Sequence, residues 1–387
     1  MYTWAQLRVI LRLLACRETW TMPLGMLREL ACGLRMFRPA TADTGTIIFV
    51  NCPPLGSTAF RRYLSGLARC ARGGLAPLAA HVAVNGQCPN RCARCSNVAR
   101  DVSGAPLAQL KQLLAGLKNA GVASISLTGG EPLLRPDLPE IVRACGPEAA
   151  AQLFTSGHGL SGGLARHLRG AGLAAAFVSL DHFRETEHDR LRGRRGAFRE
   201  ALHAVESFLE AGVYTALQTV VEPALLEDGT PERFLEFAAK LGVHDVVLLT
   251  PFPVGVSAPC AFDGSVGQRL KALHLLAARN PRWPKVTAMP LLESAELLAC
   301  QAGRGLLYVS AAGDVFPCDF VPVSFGNVFE TGLDEILARL RNAFGRPSHN
   351  CLACQFGHEL SRPPAAVHGA SQPIGIARDS LPLRTGP

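Results

Sequence analysis

HVAVNGQCPNRCARC, residues 81–95, decides how the chain folds and what it can bind. His81–Val84 reads as a short apolar strand, and Cys88, Cys92 and Cys95 follow it on one loop with C-x3-C-x2-C spacing. Three thiolates this close can wrap one face of a four-iron cubane and leave one iron open. Zinc asks for four ligands and favours C-x2-C pairs, so a zinc knot fits the spacing less well. Unligated core thiols are the other plain alternative. Arg91 and Arg94 set positive charge beside the loop, which favours the electron-rich state of an anionic cluster.

Working outward, apolar runs suit strands at 81–84, 123–128, 152–155, 175–180, 214–221 and 245–250. Helical patterns lie between them at 106–120, 137–144, 163–171, 197–211 and 231–241, and another follows at 266–278. Alternating β and α units imply a parallel sheet with right-handed crossovers. Six units predict an α/β fold, an open partial (β/α)6 barrel with its active residues at the C-terminal ends of the strands.

Companion motifs sit at those ends. Thr128-Gly129-Gly130-Glu131-Pro132 follows the second strand; its glycines permit close backbone approach to a ligand. Thr155-Ser156-Gly157 ends the third strand and Ser179-Leu180-Asp181 the fourth. Ser179 and Asp181 share a face by strand period. Glu187-His188-Asp189, Arg192-Gly193 and Gly196-Ala197-Phe198 follow, with a structural turn as the plain reading of His188-Asp189.

Together these residues resemble the radical SAM superfamily over roughly 80–280, with its C-x3-C-x2-C loop after strand one and its GGEP motif one unit later. The resemblance implies that Cys88, Cys92 and Cys95 hold a [4Fe–4S] cluster whose open iron chelates S-adenosylmethionine (SAM). It also implies that Gly129, Gly130, Glu131 and Pro132 serve SAM's amino group. Ser179 and Asp181 would meet its ribose or carboxylate, and Arg192 would pair with the carboxylate. Ser156 and His182 depart from the asparagine and glycine that many relatives carry there.

A second cysteine group lies further on. Cys300 precedes Gly313 and Cys318, and Cys351 and Cys354 form a C-x2-C pair. Four cysteines complete the coordination of either a second cluster or a structural zinc ion. The spacing resembles the SPASM/twitch extension of radical SAM enzymes. That implies a small α+β module with one auxiliary [4Fe–4S] cluster on Cys300, Cys318, Cys351 and Cys354. The expected organisation is an N-terminal extension over 1–79, a core barrel over 80–282, the auxiliary module over 283–360 and a disordered tail over 361–387.

In the extension, residues 2–16 read as an amphipathic helix with Trp4, Leu7, Leu11 and Leu14 on one face and Arg8 and Arg12 on the other. A second helix is expected over 24–36 and a strand over 46–50. The plain reading is a packing extension; a membrane-surface anchor or a docking element for a peptide leader are the sharper ones.

The 387 residues carry 13 cysteines and a net charge of +8. An odd cysteine count without a signal-like start points to a reducing, cytoplasmic setting and to metal binding rather than a disulfide framework. The arginines are scattered without aromatic interleaving, so no nucleic-acid partner is expected. Cys260, just beyond the sixth strand, is a lesser candidate as a hydrogen donor or spare ligand. The expected activity is reductive SAM cleavage, with hydrogen abstraction from a peptide during maturation of a ribosomally made product. A small-molecule or cofactor-building oxidoreductase is the alternative, and a non-catalytic iron–sulfur electron carrier the third reading. Flavodoxin or ferredoxin would supply electrons.

Overall fold

The structure is a computed structural model that describes residues 3–72, 77–92, 94–97, 104–221, 223–226, 229–252, 264–294, 297–321, 323–344 and 351–353. Cys260, Cys354 and the 361–387 tail lie outside the described residues.

The chain opens with helices α1 (Trp4–Leu14) and α2 (Leu24–Leu34), a small hairpin of β1 (Ala40–Ala42) and β2 (Gly45–Ile47), and α3 (Thr58–Ala71). The repeating units follow: β3 (Ala79–Asn85), α4 (Leu107–Asn119), β4 (Ser124–Gly129), α5 (Leu138–Cys145), β5 (Ala150–Thr155), α6 (Gly162–Ala171) and β6 (Leu173–Ser179). Two helices, α7 (Glu185–Arg192) and α8 (Ala197–Glu210), precede β7 (Tyr214–Val220), α9 (Thr230–Leu241), β8 (Asp245–Leu249) and α10 (Gly264–Arg279). The C-terminal part holds β9 (Lys285–Ala288), α11 (Met289–Leu292), β10 (Leu306–Val309), β11 (Val315–Phe316) and α12 (Leu333–Ala343).

The six expected strands run parallel in the order β3-β4-β5-β6-β7-β8. The sheet is wider than expected: β9 joins β8 and β10 joins β3, both in parallel, and β11 turns back on β10. Among the described residues β9 and β10 do not pair, so the barrel stays open. The cysteine-bearing C-terminal segment thus continues the barrel sheet directly beside the strand that leads into the Cys88 loop.

Strand alternation divides the core. Val82, Val84, Ile125, Leu127, Leu153, Val178, Leu217 and Val246 pack outward beneath the helices, against Leu114, Leu117, Ile141, Leu168, Phe208 and Leu235. The inner face is more polar, and the N-terminal extension fills its lower half. Ile47, Ile48, Val50 and Cys52 pack against Ala175, Phe177, Tyr214, Ala216 and Val247. Asn51, in a left-handed conformation at φ 66°, donates its N–H to Gln152 and accepts from Ser126 through Oδ1. The strand expected over 46–50 therefore stops at Ile47, where the chain turns into the barrel.

The first helix reverses its predicted face. Trp4, Leu7, Leu11 and Leu14 point outward, with Trp4 82% and Leu11 66% exposed, and Gln6, Val9 and Leu13 are buried instead. Gln6 decides this: its Nε2 donates to the carbonyls of Leu34, Arg35 and Phe37 at 3.0–3.2 Å, satisfying the orphan end of α2. A buried ion pair, Lys285 Nζ to Asp245 Oδ2 at 2.7 Å, closes the floor of the sheet between β8 and β9.

Candidate functional site

The Cys88 loop is held from two sides. Gly130 N–H donates to Asn85 O at 2.9 Å, Glu131 N–H to Gln87 O at 2.7 Å, and Asn85 Nδ2 to Glu131 O at 3.0 Å. A Cβ on Gly130 would lie 2.0 Å from Gln87 O, so a side chain there would drive the two loops apart. From the other side, Arg91 N–H donates to Arg192 O at 2.9 Å, and Gly193, at φ 62°, passes so close that a Cβ would meet Arg91 O at 2.4 Å. Arg194 Nε donates to Asn90 Oδ1 at 2.6 Å and fixes the loop between Cys88 and Cys92.

Glu131 is fully buried and its carboxylate is spent within the protein. Oε1 accepts from Thr155 Oγ1 at 2.6 Å and Leu133 N–H at 3.1 Å; Oε2 accepts from Ser156 N–H at 2.7 Å and Ser156 Oγ at 2.5 Å. Glu131 is the residue expected at SAM's amino group; in the structure each of its oxygens carries two hydrogen bonds, which tie β4 to β5. Ser156 supplies two of those bonds. Glu131→Gln puts an NH2 against backbone or hydroxyl donors and is expected to cost about 1–3 kcal/mol. Urea unfolding of the two proteins measures it, and equal midpoints would refute the clamp.

Arg192, the expected partner of SAM's carboxylate, lies against Asp181 and Cys92. Its Nε lies 2.7 Å from Asp181 Oδ2, an ion pair off the line of a hydrogen bond, and its Nη1 donates to Cys92 Sγ at 3.8 Å. Asp181 is itself fixed, accepting from Val220 N–H through Oδ1. His188-Asp189 is part of helix α7, not a loose turn. Asp189 accepts from the N–H groups of Gly196 and Phe198 at the start of α8, and His188 Nδ1 accepts the Asp181 N–H at 3.1 Å. Ser179 ends β6 half-buried, in register with Gln218.

Burial, then Arg192, pushes the His188 imidazole down to about 4. The unfolded histidine titrates near ~6.5, so below that pH the unfolded chain takes up a proton that the folded one refuses. Stability is therefore lost as pH falls, by about 2 kcal/mol between pH 7 and pH 5. His188→Gln should flatten the pH dependence of urea unfolding over this range; an unchanged slope would rule the assignment out.

Among the described residues two buried oxygens remain without hydrogen-bond partners at this end of the sheet, Asn85 Oδ1 and Gln218 Oε1. Buried acceptors left empty cost free energy unless a ligand supplies donors. Burial pushes the Cys88 thiol up to about 11 and also raises Cys92, against the pull of Arg192. Such thiols become thiolates when a metal centre supplies the compensating charge. Cys88, Cys92 and Cys95 interact electrostatically, yet among the described residues no three metal-ligating side chains converge on one ion.

In the second group, Cys300 and Cys318 are buried and Cys351 is half-buried. Cys351 hydrogen-bonds Cys300, and this contact together with burial raises the Cys300 thiol. Cys318 is raised by burial and interacts with both. Three of the four expected ligands, Cys300, Cys318 and Cys351, thus interact electrostatically with one another. Cys318 follows the β10–β11 hairpin, and the next residue, Asp319, pairs with His81 Nδ1 at 2.6 Å. His81 Nε2 meets Asn51 Oδ1 at 3.0 Å. This network joins the second cysteine group, the first barrel strand and the N-terminal extension. Sequence reading missed His81, Asp319, Asn85 and Gln218; for His81, Asn85 and Gln218 an ionisable or amide residue inside an apolar strand was the available signal, and Asp319 lies outside any strand.

Residues 82–241 match the family model for the radical SAM superfamily, and residues 300–355 match SPASM, the iron-sulfur cluster-binding domain. The chain belongs to the radical SAM superfamily. This radical SAM chain is 28% identical over 279 residues to an AdoMet-dependent heme synthase of Methanosarcina barkeri (strain Fusaro / DSM 804), covering 64% of this chain and 78% of the relative. It is 26% identical over 292 residues to a PqqA peptide cyclase of Methylobacterium nodulans (strain LMG 21967 / CNCM I-2342 / ORS 2060), covering 68% and 73%. Streptococcus suis SuiB shares its fold, with a TM-score of 0.58 at 16% identity over 72% of this chain and 69% of that one. The protein is therefore a radical SAM enzyme. Its cofactors are SAM and a [4Fe–4S] cluster, with auxiliary iron–sulfur binding in the SPASM domain.

Proposed function

We propose that this enzyme uses SAM to abstract hydrogen from a peptide during its maturation. Cys88, Cys92 and Cys95 would hold the SAM-cleaving cluster, and Cys300, Cys318, Cys351 and Cys354 one auxiliary cluster. Held by these cysteines, such a cluster would supply the electron for reductive cleavage of SAM to methionine and a 5′-deoxyadenosyl radical. The chain's own residues do the positioning. Gly129, Gly130 and Pro132 bring backbone against the cysteine loop. Asn85 and Gln218 offer acceptors to SAM's donors, and Ser179 with the Asp181–Arg192 pair borders the ligand. Arg192 holds positive charge on Cys92.

The observation that carries the reading is the Cys88 loop, locked between Gly130 and Gly193, on the same sheet as a second cysteine group. The peptide class draws support from the PqqA peptide cyclases and from SuiB, whose structure is also known bound to its precursor peptide SuiA. The heme synthase relative favours a second reading, oxidation of a small cofactor precursor. Work in the reducing cytoplasm with a flavodoxin or ferredoxin donor completes the proposal.

Anaerobic reconstitution tests it. Two cubanes correspond to about eight irons per chain, and SAM with reductant should yield 5′-deoxyadenosine. A short peptide encoded beside the gene should then change mass on incubation with the enzyme. Turnover of a porphyrin precursor with no change in such a peptide would establish the second reading instead.

A further inference from the structure

Six of the ten exposed large apolar side chains among the described residues fall within one short stretch: Trp4, Leu7, Leu11, Leu14, Trp20 and Leu24. The first four repeat at i, i+3 and i+4 spacing and form one outward stripe along α1. Trp20 extends it, because its Nε1 donates to Leu14 O at 2.9 Å and seats the indole at the helix's C-terminal end. The stripe is not free to rotate inward, because the opposite side of α1 is held by the three Gln6 bonds to the end of α2.

The surroundings of the stripe are cationic. Helix α1 contains Arg8 and Arg12, both exposed, and no acidic residue; Arg17 follows it, also exposed. Behind the short turn Arg17–Thr21 runs an open groove whose charged lining is Arg61, Arg62, Arg69 and Glu18. A second copy of the chain seated on the stripe would bring these arginines against their own kind. A surface of phosphates would complement them.

We propose that α1 and the turn after it form a peripheral docking surface for an anionic lipid bilayer. Trp4, Leu7, Leu11 and Leu14 enter the boundary between headgroups and acyl chains, where tryptophan is favoured, and the arginines meet lipid phosphates. No helix of the described residues is long and apolar enough to cross a membrane, so the contact is with the surface alone. The extension packs at the N-terminal ends of the barrel strands, through Tyr214 N–H to Thr44 Oγ1 and Arg38 to Asn280 O. Docking by this end leaves the opposite, Cys88 end facing water and open to substrate. The proposal does not depend on what the substrate is.

The test is cosedimentation of the full-length reconstituted protein with phosphatidylcholine vesicles, with and without about one third phosphatidylglycerol. Binding to the anionic vesicles should exceed binding to the neutral ones by about tenfold and weaken with salt. The double variant Trp4→Ser, Leu11→Ser should lose about tenfold in binding. Arg8→Gln with Arg12→Gln should erase the preference for anionic lipid. These side chains are exposed, so all variants should keep their melting temperature and their 5′-deoxyadenosine yield in solution. Equal sedimentation of wild type and double variant would overturn the proposal. So would a wild-type dimer by light scattering that the double variant dissolves, since a second copy would then be the occupant.

Discussion

Replacing Cys88, Cys92 or Cys95 by alanine is expected to cut 5′-deoxyadenosine formation from SAM by about a thousandfold or more, since at least ~4 kcal/mol of barrier lowering goes with the SAM-binding cluster. The three thiols sit on one loop fixed by Gln87 O, Arg192 O and Asn90 Oδ1 contacts that do not involve sulfur. Each single variant should therefore fold, with helicity and urea midpoint near those of the parent. The auxiliary site lies on a separate loop and should keep its iron. The expected result is thus a chain holding about half the parent's iron with no SAM cleavage. Product formation persisting in all three variants would remove the loop from the mechanism. Arg192→Gln provides a graded comparison. It leaves the three ligands in place but removes the cation from Cys92, so the first cluster should load and its midpoint potential should fall, because positive charge beside a cluster favours the reduced state.

The second large effect concerns stability. Asp245→Ala is expected to destabilise the protein by about 3–5 kcal/mol. Asp245 and Lys285 are each about 1% exposed, and the carboxylate also accepts from Thr287 Oγ1 at 3.0 and 3.2 Å and from Tyr214 OH at 3.4 Å. Removing Asp245 strands the Lys285 ammonium between β8 and β9, away from water, with Tyr214 OH at 3.4 Å as its remaining hydrogen-bond partner among the described residues. Replacing both partners by apolar residues, as in Asp245→Leu with Lys285→Met, should recover most of the loss, since the penalty lies in the unpaired charge. Urea unfolding of the single and double variants measures the coupling. A double variant no more stable than Asp245→Ala would show that packing, not charge, sets the cost.

Much of the barrel was legible because its strands are buried on the helix side, and period-two apolar runs such as Ile125–Leu127 and Val246–Leu248 mark them directly. Strand β9 was not legible: four residues beginning with Lys285 read as polar until Asp245 is placed opposite. The run Leu306–Val309 stands out as apolar, but its parallel pairing with Ala79–Val82 is a contact across more than two hundred residues that no local pattern contains. Helix α1 shows the opposite failure. Its apolar period is real, yet the helix turned the stripe outward because Gln6 met three unsatisfied carbonyls at the end of α2.

By itself the sequence determined the open βα sheet, the Cys88–Cys92–Cys95 loop at the C-terminal end of its first strand and the second cysteine group. Each rests on local spacing: alternation along a strand, or ligands a few residues apart on one loop. Tertiary structure alone decided what the polar side chains around them do. Glu131 became a clamp between β4 and β5 because Thr155 and Ser156 surround it with donors. Arg192 came to lie between Asp181 and Cys92 because Gly193 lets α7 close onto the cysteine loop. Whether a carboxylate or guanidinium is spent on the protein or left for a ligand depends on its partners in space, and those partners lie far away in the chain.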